Sequence, residues 1–168
     1  MHQVFLGIGG NIGDKPTNFF RAHALISKML GKIHARSSIY ETPPWGFQSE
    51  HVFWNQAVEI ETVLEPLEIL WRIKEIEEMF GIKSKKQRYT DRAIDIDILY
   101  VDDDFFETDS LIIPHAKLHE RKFVLVPLVE IAPDFKHPLL RMSNRDLLDC
   151  CKDQSIIRKV ELPDFHND

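Results

Sequence analysis

Cysteine is almost missing from this 168-residue chain, which contains only Cys150 and Cys151, side by side. Adjacent cysteines cannot form an ordinary structural disulfide, and neither has a cysteine or histidine at zinc-ligand spacing. The sequence also lacks a long apolar run and an N-terminal segment that is first basic and then apolar. These absences argue against a disulfide scaffold, a zinc module and a membrane-spanning protein, and they predict a cytoplasmic location.

An excess of basic residues is also lacking, since 21 Lys and Arg stand against 27 Asp and Glu, a net charge of −6. Proteins that coat nucleic acid or lie on membranes need the opposite balance, so neither partner is predicted. Apolar and charged residues make up 43% and 29% of the chain, as in ordinary soluble proteins. The length predicts one domain over residues 1–168.

The most informative stretch is the predicted strand that precedes Tyr100. Four large residues alternate on one face, namely Ile94, Ile96, Ile98 and Tyr100. Asp95 and Asp97 fall together on the other face, about 7 Å apart along the strand. Two carboxylates so placed suit Mg²⁺, which leaves its remaining positions to water and phosphate oxygens. A half-buried strand whose acids simply face water is the alternative, and these residues alone leave it open.

A basic run comes just before the acids and contains Lys83, Lys85, Lys86, Arg88 and Arg92. Positive charge beside metal-binding acids is what nucleotide phosphate chemistry requires. With few apolar anchors, the segment from about 82 to 91 is expected to be mobile until bound phosphate neutralises its charge. A solvated loop without a function is the alternative.

Four aromatic residues precede Asn55 between positions 45 and 54. Trp45 and Phe47 follow two prolines, and Phe53 and Trp54 come directly before Asn55. Apolar walls around one amide describe a pocket for a flat heterocycle. A loop that packs its own aromatic residues onto a sheet would give the same pattern.

Hydrophobic spacing and turn residues predict the secondary structure. Strands are predicted at Val4 to Ile8, Ile33 to Tyr40 and Phe53 to Val63, with helices that begin at Asp14 and Pro66. Asp102 to Asp104 predicts a hairpin turn with its return strand at Phe105, Ser143 a helix cap, and Arg158 to Leu162 an edge strand. Gly9 and Gly10 predict a close backbone approach, and the glutamates of the second helix, including Glu77, a mostly solvated face.

Four blocks of residues follow one another from about Val4 to Pro133. They are Gly9-Gly10-Asn11, then Tyr40-x-Thr42-Pro43-Pro44-x-Gly46-x-Gln48 with Phe53-x-Asn55, then Arg92-x-x-Asp95-Ile96-Asp97-Ile98-Leu99, and finally Pro114-His115 with Arg121-x-Phe123-x-Leu125-x-Pro127-Leu128. Together they resemble the hydroxymethyl-dihydropterin pyrophosphokinase family of folate biosynthesis. The resemblance implies a ferredoxin-like α+β sandwich with helices on both sides of a mainly antiparallel sheet. It also implies transfer of pyrophosphate from ATP to a reduced pterin, with AMP released.

The resemblance assigns roles residue by residue. Asp95 and Asp97 would hold two Mg²⁺ ions and, with Arg92, would be the catalytic residues. The pterin would contact Gly9, Thr42, Pro43, Trp45, Phe53, Asn55, Asp95 and Phe123, with its ring between the two phenylalanines. ATP would contact Glu77, Lys83, Arg88, Arg92, Ile98, His115 and Arg121. The implied partners are these small molecules only.

The sequence departs from the family pattern near the basic run. The family often has Arg where this chain has Ile82, and Lys83 or Arg88 are the candidates to replace it. The family commonly has Trp-Gly-Pro where this chain has Tyr89-Thr90-Asp91.

An RNA-binding module is the alternative of a different class, because ferredoxin-like sheets also stack bases on aromatic residues. The net negative charge, the two aspartates on the strand and the lack of a glycine-aromatic RNA signature all count against it.

Overall fold

In the described residues up to Val101, one strand comes before the first helix, three strands lie between the two helices, and one strand follows the second. The computed structural model describes residues 1–44, 48–81 and 91–162. In chain order the elements are β1 (His2–Gly10), α1 (Lys15–Met29), β2 (Lys32–Arg36), β3 (Tyr40–Thr42), β4 (Phe53–Thr62), α2 (Pro66–Met79) and β5 (Asp95–Val101). β6 (Phe106–Glu107), β7 (Ile112–Ile113), a short 3-10 turn (Leu118–Glu120), α3 (Lys122–Ile131), α4 (Asn144–Cys150) and β8 (Arg158–Lys159) follow.

One antiparallel sheet organises the molecule, with strand order β5-β1-β4-β3-β8 and β2 paired to β4 beside β3. α1 and α2 cover one face, where Phe19, Ile26, Ile69 and Ile73 are buried against the strands. α3 and α4 lie on the other face. This is the predicted ferredoxin-like α+β sandwich, which is therefore confirmed.

Both long helices begin where the sequence predicts. The Asp14 side chain accepts a hydrogen bond from the Thr17 N–H at 3.2 Å, and Pro16 lies in the first turn of α1. Glu65 and Glu68 form a capping box at the start of α2. These caps orient the two apolar stripes, and each large side chain buried beneath them contributes about 2 kcal/mol.

The predicted strand from Ile33 to Tyr40 is wrong, because the chain breaks it into β2 and β3. At the break, Ser37 donates its N–H to the Ala57 carbonyl, and its Oγ accepts the Ala57 N–H at 2.9 Å. A side-chain oxygen thus replaces a backbone carbonyl in the ladder. The chain bends there and continues along the next part of β4 as β3.

Tyr100 lies on the opposite face of the sheet from Ile94, Ile96 and Ile98, contrary to the alternation in the sequence. Phe5 pairs with Tyr100 and its neighbour Leu6 with Ile98, so β5 carries an extra residue between them. Such a β-bulge moves every later side chain to the other face. Tyr100 therefore packs on the α3 side, where its ring contacts that of Phe5.

The turn at residues 102–104 is confirmed, but its predicted hairpin partner is wrong. The backbone of Asp102 is left-handed, with φ of 49°, and its carboxylate accepts the Gln3 N–H at 2.8 Å. This contact directs the chain away from β5. β6 consequently pairs with β7 in a separate two-stranded sheet.

The last described residues return to the sheet, as predicted. Ser143 caps α4 by accepting the Asp146 N–H at 3.1 Å. β8 then pairs with β3 and forms the far edge, although it is shorter than the predicted strand. Among the described residues, no helix combines the length and apolarity needed to cross a membrane.

The stability of this fold should fall as the pH drops below about 6.5 because of His137. Burial, followed by the nearby His119, lowers the pKa of His137. Its neutral Nδ1 accepts the N–H groups of Leu139 and Leu140. Because the unfolded chain binds a proton near pH 6.5, this contribution is complete above that pH and is lost as the pH falls toward the lower folded pKa.

Urea denaturation at a series of pH values, with the His137→Asn variant as the comparison, tests this. The amide oxygen still accepts a hydrogen bond but does not titrate, so the loss of stability below pH 6.5 should be smaller in the variant. His2 is the control of opposite sign, because its hydrogen bond to Asp102 raises its pKa. Identical pH profiles for wild type and His137→Asn would contradict the assignment.

Candidate active site

A cavity of about 740 Å³ opens on the sheet face that carries α3 and continues around the edge strand β5 toward α2. Its volume falls within the range of sites that enclose small molecules. Thirteen of the residues singled out in the sequence line it: Gly9, Thr42, Pro43, Phe53, Asn55, Glu77, Arg92, Asp95, Asp97, Ile98, His115, Arg121 and Phe123. Trp45, Lys83 and Arg88 lie outside the described residues, as does most of the basic run.

The floor of the cavity is formed by the backbone of two glycines, Gly7 and Gly9. On β1, Gly9 pairs with Asp95 on one side and with Asn55 on the other, and Gly7 pairs with Asp97 and Ala57. Directly opposed residues share a face of the sheet, so two glycines separate the acids on β5 from the amide on β4. The two groups are about 9.5 Å apart, twice the spacing of neighbouring strands.

The acid pair lies at one side of this floor. The side chains of Asp95 and Asp97 are 23% and 32% exposed. Arg92 Nη1 is 3.2 Å from Asp95 Oδ1, and His115 Nε2 is 3.9 Å from Asp97 Oδ2. Each carboxylate therefore faces a group that can carry positive charge.

Two hydrogen bonds to nearby backbone groups orient His115. Its Nδ1 accepts the N–H of Lys117 at 3.2 Å, and its backbone N–H donates to the Leu99 carbonyl at 3.0 Å. Because Nδ1 is an acceptor, the neutral ring carries its proton on Nε2, the atom nearest Asp97. The imidazole therefore presents a donor to the acid side of the cavity.

The two carboxylates fit Mg²⁺ better than they fit a transition metal. Within residues 1–44, 48–81 and 91–162, no cluster of three or more His, Cys, Asp or Glu side chains forms a metal site. Mg²⁺ does not need one, since it takes one or two carboxylates and completes its shell with water and phosphate oxygens. Asp95 and Asp97 can supply these two ligands.

The amide pocket lies at the other side of the floor. Asn55 and Thr42 are 7% and 2% exposed, and the Asn55 amide donates to Thr42 Oγ1 at 2.7 Å. An amide has two N–H groups and an acceptor oxygen, so this bond leaves it capacity for a ligand. Phe53 and Phe123 also line the cavity. Trp54 instead points to the other face, where its ring lies 6.0 Å from that of Phe19.

Glu77 is buried, and its expected place on a solvated helix face is wrong. It is 2% exposed, and its Oε1 accepts the N–H of Ile96 at 3.0 Å. The carboxylate thus satisfies a backbone donor on the outer edge of β5. Its spacing could have shown this, because Ile69, Ile73 and Glu77 recur every four residues on one helix face.

Asn11 has a structural role that its place in the Gly9-Gly10-Asn11 block does not reveal. Its N–H donates to the Arg92 carbonyl at 2.9 Å, and its Oδ1 accepts the Arg92 N–H at 2.8 Å. The prediction of a close backbone approach at Gly10 is confirmed, because a Cβ there would collide with the Ala93 carbonyl oxygen. The end of β1 therefore fixes the backbone that carries Arg92.

Arg121 caps α3 and Phe123 lies in its first turn, and both line the cavity. The Arg121 guanidinium carbon lies 5.6 Å from the centre of the Phe123 ring, within cation–π distance. An aromatic wall and a cation are thus presented by one short segment.

Acids suited to Mg²⁺ lie beside several cations and a buried amide around one cavity, an arrangement that suits enzymes of phosphoryl-transfer chemistry. Residues 5–133 match the family described as 7,8-dihydro-6-hydroxymethylpterin-pyrophosphokinase. The chain belongs to this family. It is an ATP-dependent pyrophosphokinase of folate biosynthesis.

Relatives of similar length support this membership. Over 129 residues the chain is 41% identical to the 2-amino-4-hydroxy-6-hydroxymethyldihydropteridine pyrophosphokinase of Bacillus subtilis, covering 76% of this chain and 77% of that protein. It is 37% identical over 141 residues to the enzyme of the same name from Aquifex aeolicus, covering 84% of this chain and 87% of that protein. The resemblance drawn from the four sequence blocks is thereby confirmed.

Solved structures show the same fold. The Plasmodium falciparum protein described as wild-type HPPK-DHPS superposes with a TM-score of 0.70 at 20% identity. The match covers 89% of this chain and 43% of that one, so this chain spans less than half of the Plasmodium protein.

Proposed function

We propose that this chain transfers a pyrophosphoryl group from ATP to the hydroxymethyl oxygen of 6-hydroxymethyl-7,8-dihydropterin, within a single domain over residues 1–168. The observation that carries this proposal is the glycine floor, which holds the acid pair and the amide pocket about 9.5 Å apart on one sheet face. Such a spacing lets a flat ring lie on the amide side while its exocyclic hydroxyl reaches toward phosphate on the acid side. ATP is the second substrate.

In the proposed reaction the pterin hydroxyl oxygen attacks the β-phosphorus of ATP. The bond from the β-phosphorus to the oxygen that bridges it to the α-phosphate breaks, and AMP leaves with the electron pair of that bond. The hydroxyl releases its proton to solvent water. Negative charge develops on the departing phosphate, and Arg92, His115 and Arg121 around the cavity would stabilise it.

Asp95 and Asp97 would hold two Mg²⁺ ions beside the phosphates of ATP. When bound, the ions would neutralise phosphate charge and help align the attacking and leaving oxygens. Among the described lining residues we assign no general base to the hydroxyl, and positioning with electrostatic stabilisation is proposed to supply most of the rate. The remaining ATP contacts would come from Glu77 and Ile98, and Lys83 or Arg88 would supply the further cation.

Asn55 should select the pterin. Its amide lies in a buried pocket with Thr42 and can pair with the amide and amino edge of the ring, while Phe53 and Phe123 stack on the faces. Asn55→Ala should weaken pterin binding about tenfold or more, because truncation leaves buried polar atoms unpaired. Calorimetry of pterin binding measures this directly. ATP affinity is the internal control, and an unchanged pterin affinity would place the ring elsewhere.

Product identification is the direct test of the proposed reaction. The enzyme, ATP, Mg²⁺ and the hydroxymethyl-dihydropterin should yield AMP and a pyrophosphorylated pterin in equal amounts, and chelation of Mg²⁺ should stop the reaction. ADP as the nucleotide product would overturn attack at the β-phosphorus.

The proposed partners are small molecules, and the proposed location is the cytoplasm. An RNA-binding module would stack bases on this same sheet face, where Asp95 and Asp97 would repel a phosphate backbone.

A further inference from the structure

Asp91 connects Asn11, which follows β1, to Ser49, in the segment just before β4. Its Oδ1 accepts a hydrogen bond from Asn11 Nδ2 at 2.7 Å and another from Ser49 Oγ at 2.6 Å. The bonds from Ser49 and Asn11 lower the pKa of Asp91, which is therefore ionised at neutral pH. An ionised acceptor with two short bonds is the stronger kind of hydrogen-bonded contact.

The segment that contains Ser49 is tied to the same point a second time. Asn11 Nδ2 also donates to the His51 carbonyl at 3.2 Å, and the His51 N–H donates to Ser49 Oγ at 3.1 Å. Residues 49–51 lead directly into β4, which carries Phe53 and Asn55. The position of this segment therefore bears on the pterin side of the cavity.

The other end of the connection is Arg92, the neighbour of Asp91. Asn11 holds the Arg92 backbone through both its N–H and its carbonyl, and the Arg92 guanidinium faces Asp95. A continuous chain of hydrogen bonds thus runs from Ser49 through Asp91 and Asn11 to Arg92.

We propose that Asp91 is a positioning residue that couples the 49–51 segment on the pterin side to Arg92 on the phosphate side. The proposal rests on the proposed function and deepens it. Asp91 lies at the wall of the cavity, and its proposed role is to hold Ser49 and Asn11 in register.

If Asp91 only stabilised the fold, its loss would lower the melting temperature, whereas a positioning role predicts a change in the kinetic constants. Asp91 is exposed, and the folded core does not depend on it. Its loss should leave the melting temperature within about 3 °C of the wild type. The loss should instead raise the KM for pterin about fivefold and lower kcat by a similar factor, with the KM for ATP changed less than about twofold.

The experiment is a double-mutant cycle in the full chain, with Asp91→Ala, Ser49→Ala and the combined variant assayed by AMP release. If the two residues act through one connection, the combined variant should be no worse than Asp91→Ala alone. Asp91→Asn keeps an acceptor oxygen and should recover part of the lost kcat. Asp104→Ala, at an exposed acid in the turn after β5, is the matched control and should behave as the wild type.

Three results would overturn the inference: multiplicative losses in the combined variant, a drop in melting temperature that parallels the loss of activity, or wild-type kinetics in Asp91→Ala. If Asp91→Ala fails to fold, Ser49→Ala replaces it in the test, because this substitution removes only one hydroxyl. An unchanged KM for pterin in Ser49→Ala would also overturn the inference. A wild-type enzyme that produced no AMP would refute the proposed function instead, so the two failures are distinct.

Discussion

Asp97→Ala should lower turnover at least about 100-fold while the fold and the pterin pocket stay intact. The reason is electrostatic, because loss of one of the two carboxylates on β5 removes a Mg²⁺ ligand where phosphate charge must be neutralised. The substitution lies on the far side of the glycine floor from Asn55, so pterin binding should hardly change. Turnover is measured as AMP release over a range of Mg²⁺ concentrations, and pterin affinity by calorimetry.

The matched control for Asp97 is Asp103→Ala, which removes the same charge from an exposed turn. It should keep full activity, which separates loss of a specific ligand from a change in net charge. A near-normal rate in Asp97→Ala would remove the proposed metal role. A parallel loss of pterin affinity would mean that the change had disturbed the whole sheet face.

Arg92→Ala should lower turnover by about two orders of magnitude, the size that removal of one aligned charge stabiliser produces. Its guanidinium lies 3.2 Å from Asp95, and Asn11 fixes its backbone. The loss should appear mainly in kcat, because the charge of Arg92 matters most when AMP begins to leave. Steady-state kinetics with both substrates varied, together with direct ATP binding, separate the two effects.

Arg72→Ala is the control for Arg92. Arg72 is a half-exposed residue on α2 that pairs with Glu75 three positions along the helix. Such a surface pair contributes at most about 1 kcal/mol to stability and lies outside the cavity lining. Equal losses in the two variants would show that the effect of Arg92 is one of general charge.

Local patterns predicted the acid strand and both long helices. Asp95 and Asp97 alternate with isoleucines within one strand, so their common side follows from chain geometry alone. The caps of α1 and α2 also lie within four residues of the helices that they begin. The acid strand and these caps depend on residues that are close in sequence, and here the structure agrees with the prediction.

The wrong predictions arise from contacts between distant parts of the chain. The bulge that turns Tyr100 over depends on its pairing with β1, about 95 residues earlier by the register. The break between β2 and β3 depends on Ser37 bonding to Ala57. The spacing of Glu77 with Ile69 and Ile73 indicates a buried position, but the group that makes burial of its carboxylate favourable is the backbone N–H of Ile96, in another element.

The candidate site likewise contains residues that local patterns predicted and residues that they did not. The sequence blocks identified residues that the structure brings to one cavity, and their individual roles stay predictions. The connection from Ser49 through Asp91 to Asn11 spans 80 positions and could not be read from spacing. Residues whose role is to hold others in place have no composition or period of their own.

The sheet face beside α3 is covered over only part of its length. Leu125 and Leu128 lie over Phe5, Ala57 and Leu99, whereas no helix within the described residues lies above the part with the glycines and the acid pair. Bound substrates would cover this part of the sheet face and would be buried against it, as the side chains of α3 are elsewhere. Folding and catalysis are then linked by mass action, since a ligand at 100 times its Kd adds about 2.7 kcal/mol to the free energy of unfolding. A cell that runs short of pterin or ATP would therefore hold a less stable enzyme as well as an idle one.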